Sequence, residues 1–258
     1  MAATVVHGGL LTVLGCDGSY PGPGGAASGY LVQGDGVTLW VDAGAGTFAN
    51  LQLVSDPAAV DAVILSHEHP DHWSDIDSFA TWLHDAHSAA PVPVYAPPGL
   101  RGRAYCADDP VLRWCEVEPS CRLTMLAPSG EGGLGCVFSV TDHGPPTLAM
   151  RIDLLSRAAA PPGALVYSAD TGPDWSPEWL GAGIGTFLCE ATYTRELDGT
   201  ARHLSGRRAG EMAAAADVGT LVITHRRPHV SAAELRAEAD EAFGRPVRQA
   251  ATGKVFEW

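Results

Sequence analysis

The chain has 258 residues, of which 46% are hydrophobic and 18% charged, a balance that suits a soluble globular protein with a sizeable buried core. Sixteen basic residues against 30 acidic ones leave a net charge of −14, a surface that repels polyanions and speaks against long nucleic acid as a substrate. No run approaches the roughly 18 apolar residues of a membrane span, and residues 1–7 lack a basic stretch leading into an apolar one, so a cytoplasmic location without membrane insertion is expected.

In chain order, β-type runs are expected at Leu11–Leu14, Gly29–Gln33 and Val37–Asp42, the first two separated by a Gly-Pro-rich turn at Tyr20–Gly25. A short helix follows at Phe48–Leu53 and a strand at Ala62–Leu65. A longer helix is expected at Ser74–Ala86, where Ile76, Phe79, Ala80 and Leu83 recur at helical spacing as a core stripe. Strands continue at Val92–Tyr95, Cys136–Thr141, Leu148–Leu154, Ala164–Ser168 and Thr186–Glu190. A helix at Gly206–Ala216, a strand at Leu221–Thr224, a helix at Ser231–Phe243 and a strand at Val247–Ala250 complete the series. Strands outnumber helices and both halves carry helices, which predicts two packed sheets with helices outside, an α/β layered fold. There is no repeat at a period of about 20–50 residues. The Gly-Pro-rich segment Ala127–Gly133 reads as a turn rather than a linker, so residues 1–258 are read as a single domain. The six cysteines, at 16, 106, 115, 121, 136 and 189, form no CxxC pair and are expected as free thiols.

The chemically informative segment is His67-Glu-His69-Pro-Asp71-His72, which follows directly on the apolar run ending at Ser66. Residues two apart in extended backbone share a face, so His67, His69 and Asp71 are expected to point the same way, with His72 entering from the start of the next helix. Imidazole and carboxylate donors suit zinc, manganese or iron. The alternative is a polar turn of solvated histidines. The zincin helix motif does not apply, because Asp71 stands where its second histidine would be.

The order His67-x-His69-x-Asp71-His72 resembles the signature of the metallo-β-lactamase superfamily. Three later segments extend the resemblance: Val140-Thr-Asp-His143-Gly, Leu165-Val-Tyr-Ser-Ala-Asp170-Thr-Gly172 and Leu221-Val-Ile-Thr-His225. It implies an αββα four-layer sandwich with the site at one edge, and two divalent metal ions, zinc first with manganese or iron as alternatives. His67, His69 and His143 would hold one ion; Asp71, His72 and His225 the other; Asp170 would bridge. Leu188-Cys-Glu190-Ala-Thr192 and His203-Leu-Ser205-Gly further resemble paired loops of tRNase Z-like phosphodiesterases, in which a glutamate orients a histidine that protonates the departing alkoxide. Glu190 and His203 are therefore catalytic candidates alongside Asp71, while Cys189 stands where that loop usually has histidine. Leu14–Ser19 and Ala27–Gly29 are similar to the first loop of the same branch.

The basic arm with which some lineages grip tRNA is missing, and the layout is closest to compact bacterial atypical class II cyclic-nucleotide phosphodiesterases. The expected activity is metal-assisted hydrolysis of a small phosphodiester. Alternatives are an acyl hydrolase (lactonase, thioesterase or β-lactamase-like) and a tRNA 3′-processing endonuclease. A binding protein that has lost turnover fits poorly with seven competent ligand positions. Arg226 and Arg227, directly after a ligand, are candidate phosphate contacts or solvated cations. His7, His84, His87 and His229 are expected at the surface, and the resemblance admits a homodimer.

Overall fold

The computed structural model describes residues 8–86, 90–119, 121–156 and 163–258; His7 and His87 lie outside them. In chain order the elements are β1 (Leu10–Gly15), β2 (Gly29–Gly34), β3 (Val37–Ala43), α1 (Thr47–Val54), β4 (Ala62–Ile64), α2 (Ile76–Asp85), β5 (Val92–Ala96), β6 (Leu112–Glu116), β7 (Arg122–Leu126), β8 (Gly133–Val140), β9 (Leu148–Leu154), β10 (Ala164–Tyr167), β11 (Ile184–Glu190), α3 (Gly206–Ala215), β12 (Thr220–Thr224), α4 (Ala232–Phe243), β13 (Arg248–Gln249) and β14 (Val255–Glu257). They form two seven-stranded sheets, ordered β14-β1-β2-β3-β4-β5-β6 and β13-β12-β11-β10-β9-β8-β7.

Side-chain alternation along the strands builds the layers. Leu39, Val41, Ile64, Met150, Ile152, Leu165, Leu188 and Val222 point between the sheets and meet in one buried cluster. The alternate residues Trp40 and Val63 face outward onto α1 and α2, where Phe48, Leu51, Ile76, Phe79 and Leu83 cover them. Phe187, Cys189, Leu221 and Ile223 likewise face Ala209, Ala213, Leu235 and Phe243 of α3 and α4. The result is the expected αββα order. Cys189 thus points into the outer helical layer, on the opposite face from Glu190.

Strands β6, β7 and β14 lie outside the expected set. All three are sheet edges, where one flank meets solvent. In Arg122–Leu126 every residue is at least partly exposed, so its hydrophobic pattern is blunted. The expected helix boundaries agree with α1 to α4 to within a few residues; His72, expected to enter from the start of α2, lies instead on a separate 3₁₀ turn at Pro70–His72. Strands β3 to β6 run parallel to one another, as do β10 to β13. Their carboxyl ends gather at one rim, the usual place for a site in such sheets. No helix among the described residues is long and apolar enough to cross a membrane.

Candidate active site

Six of the residues singled out for metal or proton chemistry sit where a strand gives way to a loop on that rim, while Asp71 and His72 lie on the following 3₁₀ turn and His203 just ahead of α3. His67 and His69 follow β4, His143 follows β8, Asp170 follows β10, Glu190 ends β11 and His225 follows β12. Asp71 departs from the expected shared face. The extended backbone ends at His69 and Pro70 starts the 3₁₀ turn, which carries Asp71 and His72 together toward His225. Two glycines let neighbouring loops close on this segment. A Cβ on Gly44 would lie 2.0 Å from the Asp71 carbonyl oxygen, and one on Gly18 would lie 2.2 Å from that of His225.

The donor atoms form two adjoining sets joined by one carboxylate. In the first, His69 Nδ1 lies 3.0 Å from His67 Nε2 and 3.2 Å from His143 Nε2. Asp170 Oδ2 stands 3.6 Å from His67 Nε2 and 3.8 Å from His143 Nε2. In the second, His72 Nε2 and His225 Nε2 are 3.3 Å apart, with Asp71 Oδ2 at 3.6 and 3.2 Å from them. Asp170 Oδ1 lies 3.3 Å from both of these nitrogens. A tetrahedral cation with bonds of about 2.0–2.1 Å keeps its ligands about 3.3–3.4 Å apart. The observed separations cluster around that edge length. Asp170 Oδ1 is buried yet takes no well-directed hydrogen bond, an orphaned anion facing two imidazoles. The residues present therefore fit a metal centre.

Electrostatics agree. Burial, reinforced by the neighbouring imidazoles, holds His67 well below the usual histidine range, and burial lowers His69 and His143 too, leaving lone pairs free. Burial also disfavours a charged His72, but the carboxylates of Asp170, Asp42 and Asp71 overcome it and push His72 well upward. Burial likewise opposes ionisation of Asp71 and Asp170, and the surrounding histidines outweigh it, holding both carboxyls below their ordinary range. The second set thus demands positive charge.

Supporting groups fix four of the imidazoles by the far nitrogen. His67 Nδ1 meets Ser66 Oγ at 3.0 Å, His143 Nδ1 meets the Arg202 carbonyl at 3.1 Å and His225 Nδ1 meets Thr192 Oγ1 at 2.9 Å. His72 Nδ1 meets Asp42 Oδ2 at 2.7 Å. Such outer partners set tautomer and orientation. Asp42, expected from the sequence only as a strand end, also accepts from Ser66 N, Ser66 Oγ and Tyr167 Oη. It is a bulge residue: Tyr30 pairs with Val41 and Gly29 with Ala43, so Asp42 has no cross-strand partner and takes a φ of 54°. The legible signal was an apolar strand ending on a carboxylate. The bulge that turns it inward was not legible.

Glu190 is fully buried and accepts four hydrogen bonds, from Thr171 N, Thr192 Oγ1, Leu204 N and His203 Nδ1, the last at 2.9 Å. Burial disfavours a charged His203, but the Glu190 carboxylate more than compensates and pushes it up to about 9. With Nδ1 committed to Glu190, Nε2 is the nitrogen left for chemistry. His203 can also close a third donor group with Asp170 and His225, so it borders the second set directly. Arg226 is partly buried, and its Nη1 donates to the carbonyls of Arg227, Pro228 and Val230. His229 is exposed, with Tyr20 Oη 3.3 Å from its Nδ1, and His84 is half-exposed beside Asp109. The six cysteines are free thiols.

A family model described as the Beta-lactamase superfamily domain matches residues 38–226. An uncharacterized protein of Mycobacterium tuberculosis is 34% identical over 264 residues, covering 96% of this chain and 91% of its own. The probable metallo-hydrolase YhfI of Bacillus subtilis is 29% identical over 266 residues, covering 96% and 99%. Its crystal structure superposes with a TM-score of 0.84 at 27% identity, over 98% of this chain and 100% of that one. A ribonuclease Z of Mycobacterium marinum is 30% identical over 268 residues, covering 91% and 93%.

Proposed function

The chain belongs to the metallo-β-lactamase superfamily, in its tRNase Z-like branch of metal-dependent hydrolases, and from that premise we propose that it is a two-metal phosphodiesterase acting on small phosphodiesters such as cyclic nucleotides. The observation that carries this reading is the Glu190–His203 pair beside the two donor sets. A hydrolase needs a proton donor at that place when its leaving group is a poor one such as a sugar alkoxide. Lactones, thioesters and β-lactams need less help.

His67, His69 and His143 would hold one ion and Asp71, His72 and His225 the other, with Asp170 placed to offer one oxygen to each set. Zinc suits the near-tetrahedral spacing, and manganese or iron accept the same donors. When bound, the pair lowers the pKa of water and takes up phosphoryl charge. Glu190 holds the His203 ring by Nδ1, and His203 delivers the proton to the departing oxygen from Nε2. Thr192 and Asp42 keep His225 and His72 in the tautomers that turn Nε2 inward. The net charge of −14 favours a small substrate over long nucleic acid.

The test is a side-by-side panel of cyclic AMP, bis(p-nitrophenyl) phosphate, short RNA 3′ ends, lactones and thioesters with metal-loaded enzyme. His203→Ala should slow cyclic AMP about 10²–10⁴-fold and the activated nitrophenyl ester far less. Equal losses on both would remove the acid role. A wild type that turns over acyl substrates and no phosphodiester would overturn the reading itself.

A further inference from the structure

Arg227 is built into the site by both its backbone and its side chain. Its N–H points to the Thr192 carbonyl at 3.5 Å, and its own carbonyl accepts from Val230 N and Arg226 Nη1. Thr192 is the same residue that holds His225 Nδ1 and bonds to Glu190. The Arg227 guanidinium lies over the Tyr193 ring, 4.9 Å from its centroid, and Nε donates to Ser19 Oγ at 3.2 Å. Both braces lead to residues that border the second donor set. Ser19 N donates to Asp71 Oδ2 at 2.7 Å, and the Tyr193 ring stands edge-on to His203 with centroids 5.9 Å apart.

Nε and the stacked face are thereby occupied, while the two Nη groups have no hydrogen-bond or carboxylate partner among the described residues. The contrast with Arg226, whose Nη1 is committed to three carbonyls of its own loop, is sharp. A half-buried guanidinium braced on two sides has already given up the rotamer freedom that binding would otherwise remove. Its free fork matches a pair of phosphoryl oxygens in a way that an ammonium cannot. A neutral acyl carbon gives it nothing to grip.

We infer that Arg227 binds the non-bridging oxygens of the substrate phosphate and makes the site selective for anionic phosphodiesters over neutral acyl substrates. The inference rests on the phosphodiesterase reading above. Tyr193 and Ser19 are its positioning residues.

The experiment compares wild type, Arg227→Gln and Arg227→Lys as metal-loaded proteins. Metal content and thermal midpoint are measured first, to confirm that each variant is folded and loaded. Arg227→Gln should lower kcat/KM on bis(p-nitrophenyl) phosphate and cyclic AMP about 10- to 100-fold, as loss of a charged hydrogen bond does. Its turnover of neutral p-nitrophenyl acetate should change less than about twofold. Arg227→Lys should recover only part of the loss, because lysine lacks the planar fork and stacks poorly. Calorimetric titration with inorganic phosphate should show binding weakened by a similar factor in Arg227→Gln. Unchanged phosphodiester kinetics and phosphate binding, or an equal fall on the acetate ester, would overturn the inference. A wild type inert toward phosphodiesters would instead sink the functional reading, and the phosphate titration would still decide the role of Arg227.

Discussion

Replacing Asp42 by asparagine isolates the device that aims His72. The carboxylate is buried and receives Ser66 N at 2.7 Å, Ser66 Oγ at 2.9 Å, His72 Nδ1 at 2.7 Å and Tyr167 Oη at 2.8 Å. An amide of the same shape has one acceptor oxygen. If its NH₂ takes the place of Oδ2, it faces three of these groups. If it takes the place of Oδ1, it meets the Ser66 N–H donor to donor. The second arrangement is cheaper, yet it leaves the Ser66 N–H and the amide's own N–H groups without acceptors, a cost of at least about 1–3 kcal/mol. For a chain of this size that lowers the thermal midpoint by about 2–12 °C. The substitution also removes the negative charge behind His72, which weakens the imidazole as a donor and should reduce metal affinity about 10- to 100-fold. Calorimetry in excess chelator reads the structural cost alone, and competition with a chromophoric chelator reads the affinity. An Asp42→Asn protein with wild-type values in both would refute the orienting role.

Chelation of the wild type should lower its thermal midpoint by about 5–10 °C if ions are present at about 100 times their dissociation constant, and elemental analysis of the untreated protein should return close to two ions per chain. A midpoint indifferent to chelator would count against the centre. Gly206→Ala should destabilise by about 1–3 kcal/mol, because the added Cβ would lie 2.2 Å from the Leu235 carbonyl oxygen where α3 crosses α4. It should also depress cyclic AMP turnover, since α3 begins one residue after Ser205 and carries the His203 loop; urea denaturation and kinetics read the two effects. Gly102→Ala, where a Cβ meets nothing within 4 Å, should change stability by less than about 0.5 kcal/mol and serves as the control.

The layer order and the donor residues were readable in the sequence because both are carried by local pattern. Alternation in Val37–Val41 and helical spacing in Ile76–Leu83 each reflect burial on one face, and HxHxDH packs four potential ligands into six residues. His143, Asp170 and His225 were reached through the resemblance of their segments to the superfamily's later motifs, each segment following an apolar strand. What escaped were features set by partners distant in sequence. The edge strands β6, β7 and β14 owe their form to pairing, with little burial to pattern them. Asp42 owes its role to a bulge, and Asp71 parts from His67 and His69 because Pro70 tightens the backbone after an extended residue. Two adjacent arginines look alike as letters; only the fold separates the loop-bracing Arg226 from Arg227, whose Nη groups stay open.

The rim is also where the two sheets are bolted together. Tyr30 Oη of the first sheet meets Thr224 Oγ1 of the second at 2.7 Å, Tyr167 Oη of the second reaches Asp42 of the first, and Gly18 N donates to the Arg226 carbonyl. Each donor set draws side chains from both halves of the chain, His143 meeting His69 and His225 meeting His72. The gap in which cations would sit is therefore a gauge of how far apart the sheets ride. A methylene removed or added at Val41, Met150 or Leu188, deep in the filling between them, would be felt at the centre as a change in ligand spacing.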